Sequence, residues 1–135
     1  MVYNGINSQQ LRNATVSDIA LKRAADEPDR EIILLDGEPP ITNATIVLEA
    51  RQLATSMQKL GLVAGDVISF QLPSWREAVA IDLAAAMLGL GVNPIIPIYR
   101  ERELRFILGD AQTRLLFIPQ TFRSVNYPKM IASLR

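Results

Sequence analysis

The apolar positions of this chain follow two periods. Where Val16, Ile19, Ala20 and Ala24 recur at steps of three and four, the spacing predicts a helix. Thr15-Val16-Ser17-Asp18 supplies its N-cap with an acidic residue three places on, and Pro28 stops it. Glu31 to Leu35 reads as a short strand closed by Asp36-Gly37. After Pro39-Pro40-Ile41 a second helix is expected, capped by Thr42 or Asn43. Its stripe is Ile46, Val47, Ala50, Leu53, Ala54, Met57 and Leu60, with Glu49, Arg51, Gln52 and Lys59 on the opposite face. Gly61 stands where a left-handed C-terminal cap is wanted.

From Asp66 to Pro119 the period switches repeatedly. Val67 to Leu72 is strand-like, Ser74 to Leu88 helical, Val92 to Ile98 strand-like, Glu101 to Asp110 helical, and Arg114 to Ile118 strand-like again. This order predicts parallel strands joined by helical crossovers. Ser74-Trp75-Arg76-Glu77 reads as a capping box, and Gly89 to Gly91 ends that helix. The helix is apolar on nearly every side through Ala84-Ala85-Ala86-Met87-Leu88, so material outside the chain is expected to cover part of it. In the next helix Leu104, Phe106, Ile107 and Leu108 are the expected buried face. Leu115-Leu116-Phe117-Ile118 reads as a strand buried on both sides. Gln120 to Tyr127 reads as a loop, followed by a short helix with Pro128 at its first position. Residues 1–13 carry little pattern and are expected to form an arm.

Composition narrows the chemistry by exclusion. The 135 residues suit one domain, and 14 basic against 14 acidic side chains leave no formal net charge. The charges are interspersed, so no nucleic-acid partner is expected. The chain has no cysteine and no histidine. Disulfides, thiolate nucleophiles, Ser-His-Asp catalysis and most transition-metal sites are thereby excluded within it. The N-terminus is polar, without a basic-then-apolar leader, and the apolar run Ala78 to Ile98 is broken by Asp82, Asn93, Pro94 and Pro97. No membrane span is expected, and the cytosol is the expected location.

Few residues carry specific chemistry. Gly89-Leu90-Gly91 lacks the third glycine of a dinucleotide fingerprint and ends a helix instead of opening one. Gly61 to Gly65 lacks the Gly-Lys-Ser/Thr tail of a phosphate loop. Asp82 is either a catalytic carboxylate or a residue facing water, a seam or an arginine. Trp75 either lines a substrate pocket or packs its helix onto the sheet. Arg100, Arg102, Arg105 and Arg114 either form a phosphate-binding patch or, interleaved with Glu101 and Glu103, a solvated salt-bridged face. Asn13-Ala14-Thr15 and Asn43-Ala44-Thr45 match the glycosylation acceptor pattern but read better as helix caps.

Residues 42 to 119 carry several phrases in a telling order. They are Arg51, Leu53, Ala54, Met57, Leu60 and Gly61; Gly65-Asp66-Val67-Ile68-Ser69-Phe70-Gln71-Leu72-Pro73; Ala84 to Pro94; and Arg100-Glu101-Arg102-Glu103-Leu104-Arg105-Phe106-Ile107-Leu108. Together they resemble the N-terminal part of the adenylate-forming, or AMP-binding, acyl-CoA synthetase superfamily. The last phrase, with Phe122-Arg123 and Tyr127, is most similar to members activating cyclic or short-chain carboxylic acids. Asn43 and Leu90-Gly91 depart from the pattern. Ile98 lies where some relatives carry an Arg that reaches CoA, with Arg100 two residues on as the substitute.

The resemblance implies an α/β fold in three Rossmann-like layers, a mostly parallel sheet with helices on both faces, with residues 14–135 an incomplete N-terminal subdomain. It implies ATP, Mg²⁺ and CoA as cofactors of the full-length ligase: a carboxylate attacks the α-phosphate of ATP, and a thiol then displaces AMP. The family's Pro-Lys-Gly phosphate loop, ribose-binding Asp and late mobile Lys have no counterpart here, so no catalytic residue and no metal ligand carries over. The chain alone is expected to be inactive and to partner the remainder of the ligase or itself. A non-enzymatic α/β interaction module is the alternative reading. A small nucleotide-binding protein is disfavoured, because no glycine-rich loop follows any strand.

Overall fold

A computed structural model describes residues 14–134. The expected N-terminal arm, residues 1–13, and Asn13 of the first acceptor pattern lie outside the described residues. Helix α1 (Val16–Asp26) opens on a reciprocal cap. Thr15 Oγ1 accepts from the Asp18 N–H at 3.1 Å, and the Asp18 carboxylate accepts from the Thr15 N–H at 2.9 Å. Of the expected stripe, Ala20 and Ala24 pack half-buried against the core, joined there by Leu21 and by the buried Ser17, whereas Val16 is 70% exposed. Small residues on that face let α1 lie close to its neighbours.

Strands β1 (Glu31–Ile33) and β2 (Ile41–Thr42) form an antiparallel hairpin, shorter at Leu35 than expected and with a partner strand where only a lead-in is expected. Helix α2 (Asn43–Lys59) is capped by Thr42, whose Oγ1 accepts from the Thr45 N–H at 3.3 Å. Asn43 is instead buried, its Nδ2 donating to Glu27 O at 2.9 Å. The stripe buries Ile46, Val47, Ala50, Ala54 and Met57, but Leu60 is exposed past the last turn. Gly61 takes φ +83, a left-handed conformation that would strain any residue with a Cβ.

The central sheet holds β3 (Val67–Phe70), β4 (Gly91–Pro94) and β5 (Leu115–Phe117) in the order β4-β3-β5, all parallel. Helix α3 (Arg76–Leu88) connects β3 to β4, and α4 (Glu101–Asp110) connects β4 to β5. Alternation along β3 sends Ile68 and Phe70 into one core and Ser69 and Gln71 to the other face. The first core joins α1, α2 and α3 to the sheet. The second joins Ile95, Leu104, Tyr127 and Met130 with Leu116 and Ile118. Helices therefore cover both faces, and the expected three-layer α/β arrangement is present.

Several expectations are corrected. The α3 N-cap is Trp75, in extended conformation and without a side-chain cap bond, so the Ser74 capping box does not form. Pro73 O receives the Trp75 N–H at 2.7 Å, a local turn that delays the helix. Much of the apolar α3 is covered by the chain itself, with Ala80, Ile81, Leu83, Ala84 and Ala85 buried against α2, α1 and the sheet, while Val79 is exposed and Ala86, Met87 and Leu88 are half-buried. Phe106 is 72% exposed, because Leu104, Ile107 and Leu108 form one helical face from which it points away. β4 ends at Pro94, well before Ile98. β5 is only half-buried, being one of the two edge strands of the sheet. The expected loop at Gln120 to Tyr127 contains a hairpin, β6 (Thr121–Phe122) and β7 (Val125–Asn126), with Arg123 at φ +52 in its turn. Helix α5 (Tyr127–Ala132) starts one residue before Pro128 and is capped by Asn126, whose Oδ1 accepts from the Lys129 N–H at 2.9 Å.

Candidate functional site

The chain leaves β3 toward α3 on one face and leaves β4 toward α4 on the other. Two adjacent parallel strands whose connections diverge in this way open a crevice at their carboxyl ends. Here the crevice is a cleft of about 420 Å³. Its walls come from Leu72-Pro73-Ser74 after β3, from the loop after β4, and from the β6–β7 hairpin.

The loop after β4 is held by three side chains acting on its carbonyls. Gln71, fully buried, donates from Nε2 to Ile96 O at 3.1 Å and to Tyr99 O at 3.0 Å. Tyr127, also fully buried, donates its hydroxyl to Pro97 O at 3.1 Å. Arg100 Nη1 donates to Pro97 O at 2.7 Å and to Tyr99 O at 2.8 Å. Pro97, at the centre of this loop, has no N–H to offer. Pinning the loop's carbonyls therefore fixes its course and leaves Ile96 and Ile98 exposed along the cleft. Among the described residues Gln71 Oε1 has no hydrogen-bond partner.

Charge at the cleft is cationic. Arg100 lines it, and Arg123 does so from the hairpin turn, its guanidinium 5.4 Å from the centre of the Phe122 ring. Glu103 lies one turn into α4 and accepts from the Arg100 N–H at 3.2 Å. Its own backbone N–H, and then that bond, hold the carboxyl below the usual carboxylate range, with the charges of Arg102 and Arg100 adding to the effect.

The other candidate residues separate. Trp75 does not line the cleft but meets Phe122 edge to face at 5.9 Å, bracing the hairpin that does. Arg102 lies beside Phe106 and Ile107 on the surface of α4. Arg105 donates to Leu134 O at 2.8 Å, tying α4 to the segment after α5. Arg114 stands at the opposite end of the sheet, 3.7 Å from Asp66. The four arginines make no single patch. Asp82 sits with Val16, Ile32, Val79 and Leu83 in an apolar depression of about 230 Å³, where burial raises its pKa. Gly89, at φ +68, caps α3. Sequence reasoning gave no site role to Gln71, Tyr127 or Arg123. Gln71 stood out only as a polar residue in an apolar strand, and Arg123 and Tyr127 only as part of the family resemblance.

No group of three or more His, Cys, Asp or Glu that could hold a metal ion is present among the described residues. The loop that follows β3 is Gln71-Leu72-Pro73-Ser74, with no glycine and one missing N–H, so it offers no cradle for nucleotide phosphates. Among the described residues no helix is long and apolar enough to cross a membrane.

Comparison with known proteins places this architecture. The chain is 30% identical over 123 residues to the medium-chain fatty-acid–CoA ligase of Escherichia coli strain K12, covering 91% of this chain and 22% of that protein. It is 32% identical over 104 residues to the sulfoacetate–CoA ligase of Cupriavidus necator, covering 76% of this chain and 20% of that protein. It thus spans about a fifth of the length of these curated relatives. The fold matches the N-terminal subdomain of Klebsiella oxytoca NpsA in complex with 3-hydroxybenzoyl-AMSN, with a TM-score of 0.72 at 23% identity over 82% of this chain and 28% of that one. It also matches the Mycobacterium tuberculosis fatty acyl CoA synthetase, with a TM-score of 0.73 at 23% identity over 77% of this chain and 21% of that one. The profile of the AMP-binding enzyme family matches residues 21–135, and the chain belongs to that family.

Proposed function

We propose that residues 14–135 form the incomplete N-terminal subdomain of an ATP-dependent acyl-CoA ligase, which joins a carboxylic acid to CoA through an acyl-adenylate. The observation that carries this reading is the family match over residues 21–135 within a chain spanning about a fifth of its ligase relatives. ATP, Mg²⁺ and CoA are the cofactors of the whole enzyme, and Mg²⁺, when bound, offsets charge on the phosphates. The residues described here fit neither Mg²⁺ nor the ATP phosphates, so the adenylation chemistry is assigned to the rest of the ligase. The isolated 135-residue chain is accordingly inactive, and the enzyme is cytoplasmic.

Within the cleft, Arg100 is assigned to a CoA phosphate. Its guanidinium already lies at the cleft wall, its planar fork suits phosphate oxygens, and the apolar surface of Ile96 and Ile98 flanks it. The test measures pyrophosphate release with ATP, Mg²⁺, CoA and a panel of carboxylic acids, using the 135-residue chain and the product of its whole reading frame. Release by the longer product only is expected. Release by the 135-residue chain overturns the assignment of chemistry to the remainder, and release by neither overturns the ligase reading. In the longer enzyme, Arg100→Ala is expected to raise KM for CoA and leave KM for ATP unchanged.

A non-enzymatic interaction module is the second reading, favoured by the exposure of Ile96, Ile98 and Phe106. It requires concentration-dependent association or a bound partner without ligase activity.

A further inference from the structure

Helix α4 buries one face and leaves the other unpartnered. Leu104, Ile107 and Leu108 pack into the second core, whereas Arg102, Phe106 and Asp110 are exposed. These three stand four residues apart, so they form a single row along the outer face of the helix. Phe106, at the middle of the row, carries the most exposed aromatic ring among the described residues. Beside it lies a depression of about 310 Å³ bordered by Tyr99, Arg102, Glu103 and Ile107.

The ends of the row carry opposite charges, and neither suits its own helix. Arg102 lies in the first turn and Asp110 is the last residue, although a helix dipole favours anions at its start and cations at its end. Among the described residues neither side chain makes an ion pair or a hydrogen bond. Arg102 acts on Glu103 through its charge alone.

The row is its own complement when reversed. A half-turn about an axis through Phe106 lays a second α4 antiparallel on the first. Ring then meets ring, Arg102 faces the partner's Asp110, and Asp110 faces the partner's Arg102. Both charges lie four residues from the axis, about 6 Å along the helix, so the two ion pairs close together. A parallel helix would set like charge against like.

We propose that the protein pairs with a second copy of itself through the outer face of α4, as a symmetric two-fold dimer. Each Phe106 ring enters the depression beside the other. Such a contact closes on itself, so it makes dimers and not filaments. A ten-residue helix is about 15 Å long and offers less surface than a permanent dimer uses, so the pairing is reversible. The proposal does not depend on the ligase reading, which pyrophosphate release decides whatever the oligomeric state.

The test is sedimentation equilibrium of the product of the whole reading frame, whatever its length, between about 10 µM and 1 mM. The samples are the unsubstituted protein, Arg102→Asp, Asp110→Arg, and an equimolar mixture of the two variants. Both substitutions put the sign at each helix end that the dipole favours, so the fold should withstand them. Either variant alone sets like charges across the axis, and its dimerisation should shift at least about tenfold to higher concentration. In the mixture each variant meets the opposite charges on the other, so mixed dimers should form as readily as unsubstituted ones. An unsubstituted protein that stays monomeric throughout overturns the proposal. Association unchanged in both variants also overturns it, because another surface, such as an open sheet edge, then holds the copies together. So does a mixture that associates no better than its components.

Discussion

Gln71 Nε2 lies 3.0 Å from Tyr99 O, a hydrogen bond that joins the end of β3 to the loop that leaves β4 for the opposite face of the sheet. The same amide reaches Ile96 O at 3.1 Å. One buried side chain therefore sets the distance between the two walls of the cleft. Gln71→Ala leaves both carbonyls without this donor and opens a void where the fully buried Gln71 side chain stood. A loss of about 2 kcal/mol is expected, combining two lost hydrogen bonds with a small cavity, since Ile96 O keeps the Tyr99 N–H and Tyr99 O keeps Arg100 Nη1. Urea denaturation of the 135-residue chain measures it, and a loss under about 0.5 kcal/mol shows that the loop holds its course without Gln71.

The start of α1 depends on a reciprocal pair. Thr15→Ala removes the acceptor for the Asp18 N–H at 3.1 Å and the hydroxyl that bonds the Asp18 carboxylate at 2.7 Å. The expected cost is about 1 kcal/mol, read as a lower midpoint in thermal melts. Those same bonds from the Thr15 backbone and side chain hold the Asp18 carboxyl below its usual value. A depressed folded-state pKa favours the folded chain above the unfolded value. Its contribution should fade as pH falls from that value through the lower folded one. Thr15→Ala keeps the backbone N–H and removes only the hydroxyl, so it should flatten this part of the acid limb in part, and an unchanged limb would show that the hydroxyl bond does not persist in solution.

Asp82 has the opposite sign. Burial among Val79, Leu83 and Val16 raises its pKa, so the folded state binds its proton more tightly than the unfolded state. Stability tied to this group is present below the usual carboxylate range and is lost as pH rises through the raised value. Asp82→Asn should stabilise the chain at neutral pH by about 0.5 kcal/mol, a small figure because water still screens the carboxylate. The gain should vanish in acid, and a gain independent of pH would trace it to something other than the charge.

Two glycines should answer alanine in opposite ways. Gly61 follows α2 at φ +83, and Gly61→Ala should cost about 1 kcal/mol although nothing lies within 4 Å of the added Cβ. Gly109 lies inside α4 with no positive φ and open space around it, so Gly109→Ala should stabilise by about 0.7 kcal/mol. Chemical denaturation of the pair measures both, and equal signs would refute the conformational account.

The candidate site was the least legible part of the sequence. Arg100 was visible as a cation at a helix start, but its place on the cleft wall depends on the loop that Gln71 and Tyr127 pin from other elements. Tyr127 lies 30 residues from the carbonyl it holds, and no local pattern relates the two. The short hairpins were hidden for another reason. Strands of two residues, such as Ile41–Thr42 and Thr121–Phe122, show no period at all. Phe106 was misplaced for a third reason: apolar identity outweighed its angle around the helix.

By itself the sequence determined the strand–helix–strand order from Val67 to Ile118, the stripe of α2, and the glycine stops at Gly61 and Gly89. Periodicity and permitted φ are properties of a few neighbouring residues. Tertiary structure alone decided which way α1 turned Val16, which strand became the centre of the sheet, and which buried amide met which carbonyl. Those outcomes depend on contacts between segments far apart in the chain, and burial acts on whichever surfaces the packing brings together.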